Sequence, residues 1–267
     1  MMASLWMIGC GNMGGAMLRG WLAAGLDAAT VTVVDPGLPA LPEGVTVVSA
    51  PPEGIPDILM LSVKPQLLDV VAPAIAPHIG AHTLVISILA GVEIATLRSR
   101  FSIPDTIVRV MPNTPAAIGK GVIALFSDSQ DHAALEQAQD LMAPLGLVEW
   151  VSDESMFDAV TALSGSGPAF LFRFIEALGA AGAAIGLPAD QAARFALATV
   201  EGAALLAAQS HETPGMLAER VAAPGGSTRD GLDVLDTDCA LTLLLTKTLQ
   251  ASERRNAELG RVNTKVH

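Results

Sequence analysis

Between Leu5 and Leu22 the chain reads a short apolar run, then Gly9-Cys10-Gly11-Asn12-Met13-Gly14, then residues at helical spacing. Three glycines so placed between strand and helix suit the grip of a dinucleotide pyrophosphate. Gly9 permits the tight turn, Gly11 lets backbone approach phosphate, and Gly14 lets the helix pack close on the strand. The helix start adds N–H groups and the positive end of its dipole. A second apolar run, Val31-Thr32-Val33-Val34, ends in Asp35, followed by Pro36. A carboxylate there accepts hydrogen bonds from adenosine ribose hydroxyls and repels a 2′-phosphate. The next cation along the chain is Lys64, so NADH is expected in preference to NADPH. The structural alternative is a plain glycine turn, with Asp35 only opening the Pro36-Gly37 turn.

Five further segments set unusual backbone residues beside polar groups. Ser62-Val63-Lys64-Pro65 closes an apolar run where cofactor or substrate would pass, and Pro65 suits the first turn of a following helix. Ala90-Gly91-Val92, after the next run, offers close backbone approach near a nicotinamide. Met111-Pro112-Asn113-Thr114-Pro115 is a loop stiffened by two prolines, leaving Asn113 and Thr114 little freedom. Ser164-Gly165-Ser166-Gly167-Pro168 reads as a helix cap with Pro at the first helical position, and as a second cluster of free N–H groups and hydroxyls. Later, Pro224-Gly225-Gly226-Ser227-Thr228 precedes another helix. Its consecutive N–H groups suit a carboxylate, and Thr228 adds a hydroxyl that both donates and accepts. A glycine-rich linker is the alternative there.

The elements that must position these residues fall into two textures. Up to about residue 150, strands (5–9, 31–34, 58–63, 84–88, 107–110, 122–125, 147–150) alternate with helices (13–24, 66–75, 94–101, 132–142). Such alternation implies an α/β, Rossmann-like domain with a mainly parallel sheet and ligands at the strands' carboxyl ends. Afterwards strand signals vanish and Ala, Leu and Gly recur at helical spacing, in helices 168–185, 190–208, 214–221, 229–235 and 240–259. The expected domains are 1–152, binding the dinucleotide, and 153–267, all-α, binding substrate and dimerising. Helix 168–185 is apolar almost all round, so it is expected to be buried on most faces. With 51% hydrophobic and only 16% charged residues, subunit interfaces are expected to absorb part of the apolar surface.

With these segments in order, the chain resembles the pyrroline-5-carboxylate reductase family. The resemblance rests on Ile8–Gly14, Ser62–Gln66, Met111–Ala116, Leu163–Ala169 and Pro224–Thr228. It implies a Rossmann-like domain followed by a helical domain that interlocks with a second subunit, giving a homodimer. Family members often assemble dimers into larger rings. It implies NAD(P)H-dependent reduction of 1-pyrroline-5-carboxylate to L-proline. Carried over by motif, Gly225, Gly226 and Ser227 would hold the substrate carboxylate through backbone N–H groups, and Thr228 the ring nitrogen. Ser62–Pro65 and Ala90–Val92 would line the cofactor with Asn113. Glu154 and Ser166 would stand on the substrate side. Departures are Phe170 where the family usually has Tyr, Ala222-Ala223 where a hydroxyl residue often precedes the Pro, and His211-Glu212 where an acidic residue is common.

Other classes fit less well. A tyrosine-based short-chain dehydrogenase is excluded because the chain has no Tyr. Lys247 and Lys265, the lysines after residue 150, lack the glycine-spaced signature of a hydroxyacid dehydrogenase. A related imine or ketone reductase and a non-catalytic NAD(H) sensor or scaffold stay open. His78 and His82 are spaced by Gly80 beside Pro77, which suits a loop, and no metal is expected. A serine hydrolase would need G-x-S-x-G. The net charge of −12 opposes nucleic acid. No stretch reads as a membrane span, and two distant cysteines, Cys10 and Cys239, suit a reducing cytoplasm.

Overall fold

The computed structural model of the protein describes residues 3–264. Residues 1–2 and 265–267, the outer ends of the two expected domains, lie outside them, as do the side chains of 261–264. Eight strands form one sheet: β1 (Leu5–Ile8), β2 (Val31–Val34), β3 (Thr46–Val48), β4 (Ile58–Leu61), β5 (Leu84–Ser87), β6 (Ile107–Met111), β7 (Gly121–Phe126) and β8 (Gly146–Trp150). Their order is β3-β2-β1-β4-β5-β6-β7-β8, parallel throughout except where β6 meets β7. The residues of β1, β4 and β5 are buried without exception, as continuous apolar runs in a doubly covered sheet require.

Alternate side chains of those strands feed two cores. On one face Leu5, Met7, Val33, Met60 and Ile86 pack with Met17, Leu18 and Trp21 of α1 (Asn12–Ala23). On the other, Trp6, Ile8, Leu59, Leu61 and Val85 pack with Leu68, Ala72 and Ile75 of α2 (Leu68–Ile75) and Leu97 of α3 (Ile94–Arg100). Helix α4 (His132–Met142) returns Ala138 and Met142 to the first core, and its N-cap Asp131 accepts from Ala133 and Ala134 N–H.

In residues 3–166 the elements differ from the sequence reading chiefly at three places. Strand β3 went unread, since three residues are too few to show a period. Pro65–Leu67 form a tight 3-10 turn ahead of α2, which therefore starts at Leu68. Residues 154–166 are helical instead of a connection: a turn at Glu154–Met156, α5 (Phe157–Val160), then a π-helical turn at Thr161–Gly165 that runs into α6 (Gly167–Ala184). Ser166 N–H donates to Thr161 O at 2.8 Å, so the expected cluster of free N–H groups at 164–168 is corrected.

Contacts divide the chain into Met1–Ser166 with Ser252–His267, and Gly167–Ala251. That division falls after the expected 152/153 boundary because Phe157 packs with Met111 and Ala124 at the sheet's end. The second unit holds α6, α7 (Ala189–Gln209), α8 (Pro214–Val221), α9 (Ser227–Asp236) and the start of α10 (Ala240–Thr264). Small residues bring α6 and α7 together: a Cβ on Gly179 would sit 3.2 Å from Ala193 Cα. The expected burial of α6 on most faces does not hold within one chain. Of its residues only Gly179 is buried, and Phe172 is 65% exposed. Among the described residues no helix is long and apolar enough to cross a membrane.

Candidate active site

The first site residues gather where β1, flanked by β2 and β4, ends. There the strand order reverses and a doubly wound sheet opens a crevice. Gly9 has φ +84°, a left-handed backbone that favours glycine. A Cβ on it would also come within 2.8 Å of Val63 Cγ1 and 3.2 Å of Ser62 O. At Gly14 an added Cβ would press on Ser62 Oγ at 3.1 Å. Ser62 fastens the loop, its N–H donating to Ile8 O at 2.9 Å and its hydroxyl bonding Gly9 O.

Gly11 is different. Its φ is −74°, which any residue adopts, and an added Cβ would meet nothing within 4 Å. The fold accounts for the first and third glycines and not for the second. Space held open beside a helix start is what a diphosphate requires. Bonding within α1 begins with Gly15 N–H to Gly11 O at 2.8 Å, so the N–H groups of Asn12, Met13 and Gly14 precede any intrahelical acceptor. Asp35 closes the cradle: Oδ2 accepts from Cys10 N–H at 3.0 Å and Oδ1 from Gly37 N–H at 2.8 Å. Burial, and next the Asp35 charge, push the Cys10 thiol above its ordinary pKa against the pull of Arg19. Cys10 fills the variable position of the glycine turn. Pro36 is exposed beside Asp35.

The next residues surround a cavity of about 230 Å³ lined by Pro65, Ala90, Gly91, Arg109, Phe157 and Thr161, among others. Lys64 is exposed and forms the cap of the Pro65–Leu67 turn. An adjoining cavity of about 210 Å³ shares Gly91, Arg109 and Phe157 and adds Glu93, Glu154 and Ser155.

Arg109 went unnoticed in the sequence, although an arginine inside Ile107-Val108-Arg109-Val110-Met111 signals a buried cation in need of a partner. Its guanidinium lies 4.3 Å from the Phe157 ring centroid and donates to Glu154 Oε1 at 2.7 Å. The same oxygen accepts from Ile94 N–H at 2.8 Å, so Glu154 caps α3 from across the fold. Arg109→Met is expected to destabilise the fold by about 3–5 kcal/mol, as loss of one partner of a buried pair does. Adding Glu154→Gln should recover part of this, because an amide oxygen still accepts from Ile94 without needing a cation. Urea unfolding measures both; a loss below about 1 kcal/mol would rule the pair out as a brace.

Asn113 is buried and faces inward. Its Oδ1 accepts from Val122 N–H and its Nδ2 donates to Ser164 O, both at 2.9 Å. Ser166 Oγ lies 3.0 Å from Ser252 Oγ.

In the second unit, Gly225 has φ +72°, and Gly226 caps α9 with no side-chain help. The helix opens at Ser227, two residues before the sequence reading placed it. Its bonding starts with Arg229 N–H to Gly226 O at 3.0 Å, so Ser227 and Thr228 present N–H groups ahead of it. Thr228 is exposed. No group of three or more potential metal ligands occurs among the described residues.

The sheet order and the cradle at Gly11 define a dinucleotide-binding protein of the doubly wound class. The family model "NADP oxidoreductase coenzyme F420-dependent" matches residues 4–91, and "Pyrroline-5-carboxylate reductase dimerisation" matches residues 154–259. The pyrroline-5-carboxylate reductase of Pseudomonas aeruginosa is 37% identical over 95% of both chains. That of Synechocystis is 40% identical over 78% of this chain and 76% of its own. The Coxiella burnetii reductase structure superposes with a TM-score of 0.86 at 32% identity, covering 96% of this chain and 98% of that one. The Plasmodium falciparum structure, with NADP bound, gives 0.83 at 26% identity over 97% and 98%. This chain belongs to the pyrroline-5-carboxylate reductase family.

Proposed function

We infer that this chain reduces the C=N bond of 1-pyrroline-5-carboxylate to give L-proline. The observation that carries the reading is the room at Gly11, a glycine the fold itself does not need, in a chain matched over 95% of its length by a reductase. When bound, the reduced nicotinamide supplies a hydride to the imine carbon while the nitrogen gains a proton. The loop Gly9–Gly14 seats the diphosphate, and Asp35 with Pro36 meets the adenosine ribose. Ser62, Val63, Lys64, Pro65, Ala90 and Gly91 border the nicotinamide half, while Asn113, expected among them, has both ends of its amide committed to Val122 and Ser164.

On the substrate side, the N–H groups of Gly225 and Ser227 hold the carboxylate at the start of α9, where a helix favours an anion; the Gly226 N–H, expected to join them, is already given to Ala223 O at 3.0 Å. The Thr228 hydroxyl orients the ring nitrogen, and Glu154 and Ser166 complete the substrate's surroundings. Holding the two reactants face to face supplies much of the rate. A cyclic imine is basic enough to arrive partly protonated, so no strongly shifted side-chain acid is required.

The exposed apolar side chains of α6 and α7 lie in the segment matched by the dimerisation model, which supports a homo-oligomer. A homodimer, assembled into a ring of dimers and working in the cytoplasm, is the form we propose.

Steady-state kinetics with pyrroline-5-carboxylate and each reduced cofactor test the activity and the NADH preference together. kcat/KM is expected to favour NADH by roughly tenfold or more, since the Asp35 carboxylate opposes a 2′-phosphate. Asp35→Ser should bring the ratio toward unity. A wild-type preference for NADPH would remove Asp35 from that role.

A further inference from the structure

We propose that Asn113 is a positioning residue that supplies the hydrogen Pro168 lacks, and so fixes one wall of the cavity beside Ala90 and Gly91; this rests on the reductase reading above. In a continuous helix the Ser164 carbonyl would take its hydrogen from the residue four positions on. That residue is Pro168, which has no N–H. Asn113 Nδ2 donates to Ser164 O instead, at 2.9 Å. The amide's orientation is set by its other end, because Oδ1 accepts from Val122 N–H and an NH2 group could not. Asn113 is only 5% exposed, so water does not take over a lost bond there.

The bridge joins the loop after β6 to a helical run more than fifty residues away. That run contains the π-helical turn Thr161–Gly165, an insertion of a kind that recurs at functional sites. Thr161, in the same turn, lines the cavity shared with Pro65, Ala90 and Gly91. Asn113 therefore acts from behind that wall, holding the Thr161–Ser166 segment against the end of the sheet. The stiff Pro112–Pro115 loop and the Ser164–Pro168 segment become one device, the first providing the donor that the second lacks.

Asn113→Asp keeps the acceptor for Val122 and, where the carboxyl is ionised, replaces the donor by a charged oxygen facing the Ser164 carbonyl, so the rates are compared above the pH at which that carboxyl loses its proton. Turnover of pyrroline-5-carboxylate is measured per NADH-binding site, counted by fluorescence titration, so unfolded chains do not enter the rate. kcat is expected to fall roughly tenfold, the effect of one unmade bond to a buried carbonyl. Kd for NADH, set at the diphosphate cradle, should change less than about threefold, as for a separate site. Pro168→Ala restores an N–H at position 168. In the double variant Asn113→Asp/Pro168→Ala, kcat should return to within about threefold of Pro168→Ala alone. An unchanged kcat in Asn113→Asp, or a double variant no faster than Asn113→Asp, overturns the proposal. Amide exchange at Gly165 and Ser166 reads the bridge without substrate, quickened by Asn113→Asp and slowed again by Pro168→Ala. If the wild type leaves the imine unreduced while exchange follows that pattern, the reductase reading fails and the bridge is upheld.

Discussion

Gly11→Ala is expected to raise Kd for NADH about a hundredfold or more, the loss of one or two charge-assisted bonds between diphosphate and backbone. The ligand-free fold should barely respond. The φ of −74° suits alanine and the new Cβ meets no atom within 4 Å, leaving only the weaker helix cap, worth about 1 kcal/mol. Gly9→Ala, two residues away, should do the reverse. Its φ of +84° and the 2.8 Å approach to Val63 Cγ1 place the burden on folding, at about 2–4 kcal/mol. Thermal melts and NADH fluorescence titrations separate the two glycines. Tight NADH binding by Gly11→Ala would mean that the dinucleotide does not sit on this loop.

Thr228→Ala should lower kcat by about a hundredfold, the lower range for a group that positions or relays a proton in the reaction. Kd for NADH and Tm should stay near their wild-type values, since Thr228 is exposed near the start of α9 and far in sequence from the diphosphate loop. Thr228→Ser retains the hydroxyl and should keep most of the rate. Equal loss in the alanine and serine variants would point to the shape of the loop, and full activity in Thr228→Ala would end the hydroxyl's role. The glycine pair and this substitution probe two different grips, one on the cofactor and one on the substrate. A defect in cofactor affinity alone therefore belongs to Gly11, and a defect in turnover alone to Thr228.

Much of the fold was legible along the chain because its causes are local. The buried runs Leu5–Ile8 and Ile58–Leu61 show apolar continuity, and His132–Met142 and Pro214–Val221 lie between the bounds that their spacing and caps predict. Thr46–Val48 was too short for any period to emerge. Residues 154–166 were misread because Ser-Gly-Ser-Gly-Pro carries the signals of a helix start. The chain overrides them with a π-helical turn and a donor brought in from β6's far end.

The sequence by itself determined which residues form the dinucleotide loop, which runs form most of the strands, and where a second glycine loop opens a helix. These depend on backbone permissiveness and hydrophobic period, both properties of neighbours in the chain. Only the tertiary structure decided that Gly11 faces open space while Gly9 and Gly14 face Ser62 and Val63. It also decided that Arg109 answers Glu154, and that Asn113 answers Ser164. Hydrogen bonds and charges are satisfied by whatever the fold brings within 3 Å, and sequence separation carries no record of that distance.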